Sequence, residues 1–155
     1  MESSYIIGLM PSIELFKELD TIEKAMLVSY FEEAVYPANE MIFVENNPRK
    51  NLYIIIDGEV ELFKCTPFGE EKRLAYFGKF DTLGEGALLD DSPHSTSARS
   101  LVDTQILLLP KDQFHSLIDE HGALTAKIFS RIAKIISRRM RLSASRVLNA
   151  GAQYH

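Results

Sequence analysis

Hydrophobic positions change their spacing twice along the chain, dividing it into helical, strand-like and again helical territory. Up to Pro37 the spacing is helical. Ser12 is placed to cap a segment holding Ile13, Leu15, Phe16 and Leu19. Asp20-Thr21-Ile22-Glu23 has the form of a capping box, an acid at the cap and a second carboxylate three residues on. The helix it opens carries Ile22, Ala25, Met26 and Tyr30 on one side, and Pro37 closes the region. From residue 41 to residue 110 short apolar runs alternate with turn residues. Met41-Ile42-Phe43, Leu52-Tyr53-Ile54-Ile55-Ile56, Val60 with Leu62 at period two, Leu74-Ala75-Tyr76-Phe77 and Ile106-Leu107-Leu108-Leu109 are expected strands. Asp57-Gly58 is expected to make a hairpin-type turn and Pro67-Phe68-Gly69 the next one. Many short strands parted by turns predict a barrel or sandwich, with Tyr53, Phe63, Tyr76 and Phe77 in its core or wall.

Helical spacing returns after Pro110 with Phe114, Leu117 and Ile118, and His121-Gly122 interrupts it. The last helix is expected over about 124–148. Phe129, Ile132, Ile136, Met140, Ser143 and Val147 form one stripe along it, and Ile128, Ile135 and Leu142 a neighbouring one at steps of seven. Two adjacent stripes fit a helix buried on two sides, by a barrel and by a partner helix, or equally a single broad core face. The chain is therefore expected to form one domain, with helices and barrel over 1–123 and a dimerisation or lever helix over 124–155.

Composition narrows the function classes. An apolar fraction of 46% and a charged fraction of 25% are those of a globular domain. No apolar run reaches the roughly 18 residues of a membrane span, and the first residues lack a basic signal-peptide region, so a cytoplasmic protein is expected. Cys65 is the one cysteine, which excludes an internal disulfide and a cysteine-held iron–sulfur cluster. Charge is unevenly spread. Residues 1–126 hold all 22 acids, whereas Lys127, Arg131, Lys134, Arg138, Arg139, Arg141 and Arg146 follow with no acid among them. Such a helix can meet nucleic acid, but the expectation is that it meets the acidic body of its own molecule or of a dimer mate.

The stretch richest in candidate chemistry is Leu83-Gly84-Glu85-Gly86-Ala87-Leu88-Leu89, followed by Asp90-Asp91-Ser92-Pro93-His94-Ser95-Thr96-Ser97-Ala98. Gly84 and Gly86 permit a tight bend and close backbone approach around one carboxylate. If 86–89 is a helical turn, its free N–H groups make an anion site beside Glu85. His94, His115, His121 and His155 have no zinc-type spacing, the His-x-His cluster of metal-binding cupins is absent, and no His–acid pair is placed to activate Ser92, Ser95, Thr96 or Ser97. No catalysis, metal or cofactor is expected.

This stretch is similar to the phosphate-binding cassette of cyclic-nucleotide-binding domains. The resemblance spans nearly the whole chain. Leu15-Phe16-Lys17-Glu18-Leu19-Asp20 resembles the family's opening helix and Pro37-Ala38-Asn39-Glu40-Met41-Ile42 its first strand. Leu52 to Val60 resembles its most recognisable strand–turn–strand, Gly69 its next turn glycine, and Leu107-Leu108-Leu109-Pro110 its return to helices. Ser137 to Asn149 resembles the dimer helix of catabolite-activator-type regulators, where a hydroxyl residue reaches the purine. The resemblance implies a double-stranded β-helix or jelly-roll barrel with N-terminal helices and a long C-terminal helix. It further implies that Glu85 holds the ribose hydroxyl and that the Gly86 and Ala87 amides meet the cyclic phosphate of cAMP or cGMP. Gly84 and Ser95 stand beside them, and Arg139 and Ser143 close over the base. In those regulators the helix leads into a helix-turn-helix; no such DNA-reading module is expected before His155, and whether the chain is a piece of a longer regulator stays open.

Departures from the family pattern matter. His94 stands at the family's arginine, Phe80 and Asn46 replace common glycines, and Gly86 stands where a larger apolar residue is usual. A hydrogen bond to a charged group is worth about 1.5–3 kcal/mol, so losing the arginine weakens binding by about one to two decades. Two readings of His94 stay open: a degenerate pocket on a folding and interaction module, or a weaker ligand for phosphate or another small anion whose affinity rises from pH 8 to pH 6. The functions in play are a sensor read by another protein, a ligand-free homodimerisation module, and nucleic-acid binding through the basic helix.

Overall fold

The computed structural model describes residues 1–152, so His155 lies outside the described residues. The chain opens with α1 (Ser3–Leu9), single 3-10 turns at Met10–Ser12 and Glu14–Phe16, and α2 (Thr21–Val28). The capping box forms as expected: Glu23 N–H donates to Asp20 Oδ1 at 2.8 Å and Asp20 N–H to Glu23 Oε1 at 3.0 Å. The helix expected behind Ser12 does not form. Ser12 ends one turn, and the next is entered from Ile13 with no side-chain cap. Ile13, Leu15 and Phe16 are fully buried, so tertiary packing holds them without a regular helix. On α2 the buried residue is Leu27, while Ile22 and Met26 face outward.

Eight antiparallel strands follow among the described residues: β1 (Glu32–Tyr36), β2 (Met41–Phe43), β3 (Asn51–Asp57), β4 (Val60–Cys65), β5 (Glu71–Phe77), β6 (Thr82–Leu83), β7 (Ser97–Ser100) and β8 (Thr104–Pro110). They form two four-stranded sheets, ordered β1-β8-β3-β6 and β2-β7-β4-β5, the jelly-roll barrel with flanking helices that was expected. Three strands escape the hydrophobic pattern, the two-residue β6 among them. β1 pairs only with β8, from Glu32↔Leu108 to Tyr36↔Thr104, and this edge position leaves its residues exposed or half-buried. β7 is buried but built of Ser97, Ala98, Arg99 and Ser100, and its hydroxyls serve neighbouring backbone, Ser97 Oγ accepting from Glu45 N–H and Ser100 Oγ from Glu40 N–H.

The Asp57-Gly58 turn is not a hairpin. It joins β3 to β4, which belong to opposite sheets. Gly58 has φ +117, and a Cβ there would lie 2.4 Å from Thr104 Oγ1 and 2.7 Å from Thr104 Cα, so the crossing is drawn tight against β8. Pro67-Phe68-Gly69 does turn between paired strands, β4 and β5.

The long apolar runs of β3 and β8 now have a cause. One face of these strands, with Ile55 and Ile106, packs between the sheets beside Val60, Leu83 and Ala98. The other, with Ile54, Ile56, Leu107 and Leu109, packs beneath the helices. Strands buried on both faces lose the alternation of a half-exposed strand. Tyr53 and Phe63 are buried as expected, whereas Tyr76 faces outward beneath the Arg73 guanidinium, 4.3 Å from its ring centre. Glu61 on β4 is the one buried acid of the second sheet. Burial pushes its carboxyl up, but hydrogen bonds from Arg99 and Arg73 outweigh burial and hold it below its ordinary value.

Helix α3 (Lys111–Glu120) leads to α4 (Gly122–Ala152), which begins slightly before the expected start. Leu124, Ile128, Ile132 and Ile135 of α4 enter the core. From Ser137 to Asn149 every residue is exposed. The basic face meets the acidic body of its own molecule. Lys127 pairs with Glu23 at 2.6 Å, Arg131 and Lys134 with Glu18 at 3.2 and 3.4 Å, and Arg138 with Glu14. Among the described residues no helix is long and apolar enough to cross a membrane.

Candidate functional site

The cassette is a turn, not an extended strand. Gly84, at φ +74, lets the chain leave β6 and enter the 3-10 turn Glu85–Leu88. This left-handed conformation favours glycine. The turn is packed on β3, with Ala87 and Leu88 buried beneath it. Glu85 therefore points its carboxylate along the barrel wall into a cleft of about 210 Å³ shared with Arg49, Gly86, His94, Ser95 and Arg139. Glu85 is only 7% exposed. Arg139 Nη1 of α4 lies 2.7 Å from its Oε1, but at an angle that makes no hydrogen bond, and this buried oxygen accepts none among the described residues.

The structure brings together Gly84, Glu85, Gly86, His94, Ser95 and Arg139 around one cleft. It does not bring in all of the expected group. Ala87 N–H donates to the Gly84 carbonyl at 3.0 Å inside the turn and is not offered to the cleft. The amide of Gly86, at the open start of the turn, lies outside that i→i−3 pattern. Ser143, one helical turn beyond Arg139, is exposed and away from the cleft wall.

His94 forms part of the cleft wall. Its ring is 4% exposed and stacks on Phe43, with centroids 4.0 Å apart and planes 9° from parallel. Its backbone is clamped to the loop between β2 and β3: Asn46 N–H donates to the His94 carbonyl at 2.8 Å, and His94 N–H to the Asn47 carbonyl at 2.9 Å. Burial, aided by the nearby Arg49 charge, pushes the imidazole down to about 4. An imidazole held that low lines the cleft as an uncharged group at neutral pH.

Sequence reasoning missed Arg49. Its guanidinium fills the space above Gly86, where a Cβ would lie 2.2 Å from Nη1 and 2.6 Å from Cζ. Asn46 and Phe80 adopt φ +72 and +71, so both substituted glycine positions keep a left-handed backbone.

The antiparallel jelly roll thus sets a buried acid beside the Gly86 amide on an inter-strand turn, with a cation of the following long helix over it. The model of the cyclic nucleotide-binding domain family matches residues 33–121, and the chain belongs to that family. It is 32% identical over 127 residues to the cyclic AMP receptor protein of Thermus thermophilus, covering 82% of this chain and 57% of that one. The fold is similar to the crystal structure of the Thermus thermophilus catabolite activator protein, with TM-score 0.77 and 30% identity over 86% of this chain and 61% of that one. A cyclic nucleotide-binding domain from Methylobacillus flagellatus superposes with TM-score 0.81 and 26% identity, over 94% of this chain and 82% of that domain. The chain thus spans little more than half the length of the receptor protein it matches.

Proposed function

We propose that this chain is a non-catalytic sensor that binds a cyclic nucleotide, cAMP or cGMP, in the 84–95 cleft and signals through α4. The carrying observation is the buried Glu85 carboxylate, whose Oε1 lacks a hydrogen bond among the described residues and whose ion-pair partner, Arg139, sits on α4. A ribose hydroxyl donating to that oxygen competes with Arg139, while the cyclic phosphate lies over the open start of the 3-10 turn. Ligand and helix therefore share one acceptor, and occupancy shifts the balance between positions of α4 only as far as the ligand prefers one of them. The exposed half of α4 carries Met140, Leu142, Val147 and Leu148, each more than half exposed, and a second copy of the chain is the partner this apolar face fits. The signal then passes to an output protein or to a further domain.

The test is thermal unfolding with cAMP and cGMP, for the wild type and for Glu85→Ala. A ligand at 100 times its Kd stabilises by about 2.7 kcal/mol, a rise of several degrees that Glu85→Ala abolishes. No rise with either nucleotide removes the sensor reading.

That outcome leaves a ligand-free dimerisation module, favoured by the same apolar face, with dimers found by sedimentation in the absence of ligand. Nucleic-acid binding has less support, because five of the seven cations beyond residue 126 already pair with acids of the same molecule.

A further inference from the structure

We infer that Arg49 is the anion-binding arginine of this pocket, delivered by the loop between β2 and β3 across the space that Gly86 leaves empty. The inference rests on the sensor reading for the identity of the whole ligand, but not for the presence of an anion site.

Three observations meet at this side chain. The first is steric. Any side chain at position 86 would overlap the Arg49 guanidinium, since even a Cβ would come within 2.2 Å of Nη1. Glycine at the start of the 3-10 turn is therefore what admits the arginine. The second is an unmet donor. Arg49 Nε is buried without a hydrogen-bond partner among the described residues. Its Nη1 has only a loose contact, 3.5 Å from Oδ1 of Asp90, a carboxylate that is 57% exposed. Arginines held for packing alone ordinarily have their buried donors satisfied, and an exposed ion pair of this kind adds about 0–1 kcal/mol. The third is positional. Nε and the neighbouring Nη form the planar fork that suits two oxygens of one phosphate, and the fork stands beside the Gly86 amide and within the cleft that holds Glu85.

The loop is built to hold this arrangement. Its two backbone hydrogen bonds to His94 fix residues 46 and 47, and Pro48 limits the chain just before Arg49. His94 lies flat against Phe43, out of the guanidinium's way. The cleft wall at position 94 is an imidazole, and the guanidinium beside Gly86 comes from the adjacent loop. A phosphomonoester or cyclic phosphodiester is the chemical class it recognises. Arg49 is a ligand-binding residue, not a substitute packing group.

The experiment uses two probes on the full chain. Inorganic phosphate at tens of millimolar, followed by ¹H–¹⁵N correlation, is expected to shift the Arg49 Nε–H and Gly86 N–H signals saturably, and Arg49→Gln is expected to abolish the Gly86 shift. Calorimetry with cAMP is expected to give about 10- to 100-fold weaker binding in Arg49→Gln. Gly86→Ala, which evicts the guanidinium, weakens binding similarly, while the double variant Arg49→Gln/His94→Arg recovers part of the loss. Far-ultraviolet circular dichroism and thermal midpoint establish that each variant is folded. Equal cAMP affinity in wild type and folded Arg49→Gln overturns the inference and leaves the sensor reading intact. Phosphate shifts at Arg49 with no binding of any cyclic nucleotide support the anion site and end the sensor reading. Absence of a saturable Arg49 signal with both probes overturns the inference.

Discussion

Lowering the pH from 7.5 to 5.0 should destabilise this protein through His94 before its carboxylates respond. The folded imidazole is pushed down to about 4 by burial and by Arg49, against an ordinary value of 6.5. The unfolded chain therefore takes up a proton near pH 6.5 that the folded chain refuses until about pH 4. The stabilisation is complete above the unfolded value and drains as pH falls from about 6.5 towards 4. At about 1.36 kcal/mol per pH unit the whole gap is worth about 3 kcal/mol, and by pH 5 about 2 kcal/mol of it is gone. Glu61, Glu71, Asp90 and Asp91, all held below their ordinary values, act in the same direction but in a more acid window. Urea unfolding at both pH values, on the wild type and on His94→Gln, isolates the histidine: the wild type should lose about 2 kcal/mol more than the variant across that interval. Identical pH dependence in the two proteins refutes the argument, as does a His94 ring signal that titrates near 6.5 in the folded state. The same reasoning expects cyclic-nucleotide affinity to be level between pH 8 and pH 6.

Two further substitutions probe the frame that holds the cleft. Gly58→Ala places a Cβ against Thr104 at a φ of +117; overpacking with backbone strain should lower stability by about 3 kcal/mol, a fall of roughly 10 °C in Tm by calorimetry. Survival of the wild-type Tm would show that the sheet crossing is loose. Glu61→Ala leaves Arg73 and Arg99 without the carboxylate they share at 2.6 Å, and denaturant unfolding should show a loss of about 2 kcal/mol; a loss below about 0.5 kcal/mol, the range of ordinary surface substitutions, would reduce the cluster to a surface ion pair.

What the sequence made legible follows from how local each signal is. The Asp20–Glu23 cap, the β4–β5 turn and the cassette turn at 84–88 are each specified within a few residues, and each forms. The doubly buried β3 and β8 could be found as strands from their apolar runs, but their partners could not, so Asp57-Gly58 looked like a hairpin although it crosses between sheets. β7 was hidden because its place in the sheet is secured by hydroxyl-to-backbone bonds and not by apolar side chains. Arg49 is the instructive omission. His94 in the cassette and glycine at 86 look like isolated departures in one dimension and Arg49 gives no signal there; only the packing of the β2–β3 loop over the turn brings the three side by side. Position 94 and the loop that carries Arg49 are tied together by two backbone hydrogen bonds, Asn46 N–H to the His94 carbonyl and His94 N–H to the Asn47 carbonyl. On the proposed reading, a phosphate bound by Arg49 and by the Gly86 amide bridges the β2–β3 loop to the cassette turn. On that same reading Glu85, on the same turn, exchanges its contact with Arg139 for the ligand, which links the site to α4.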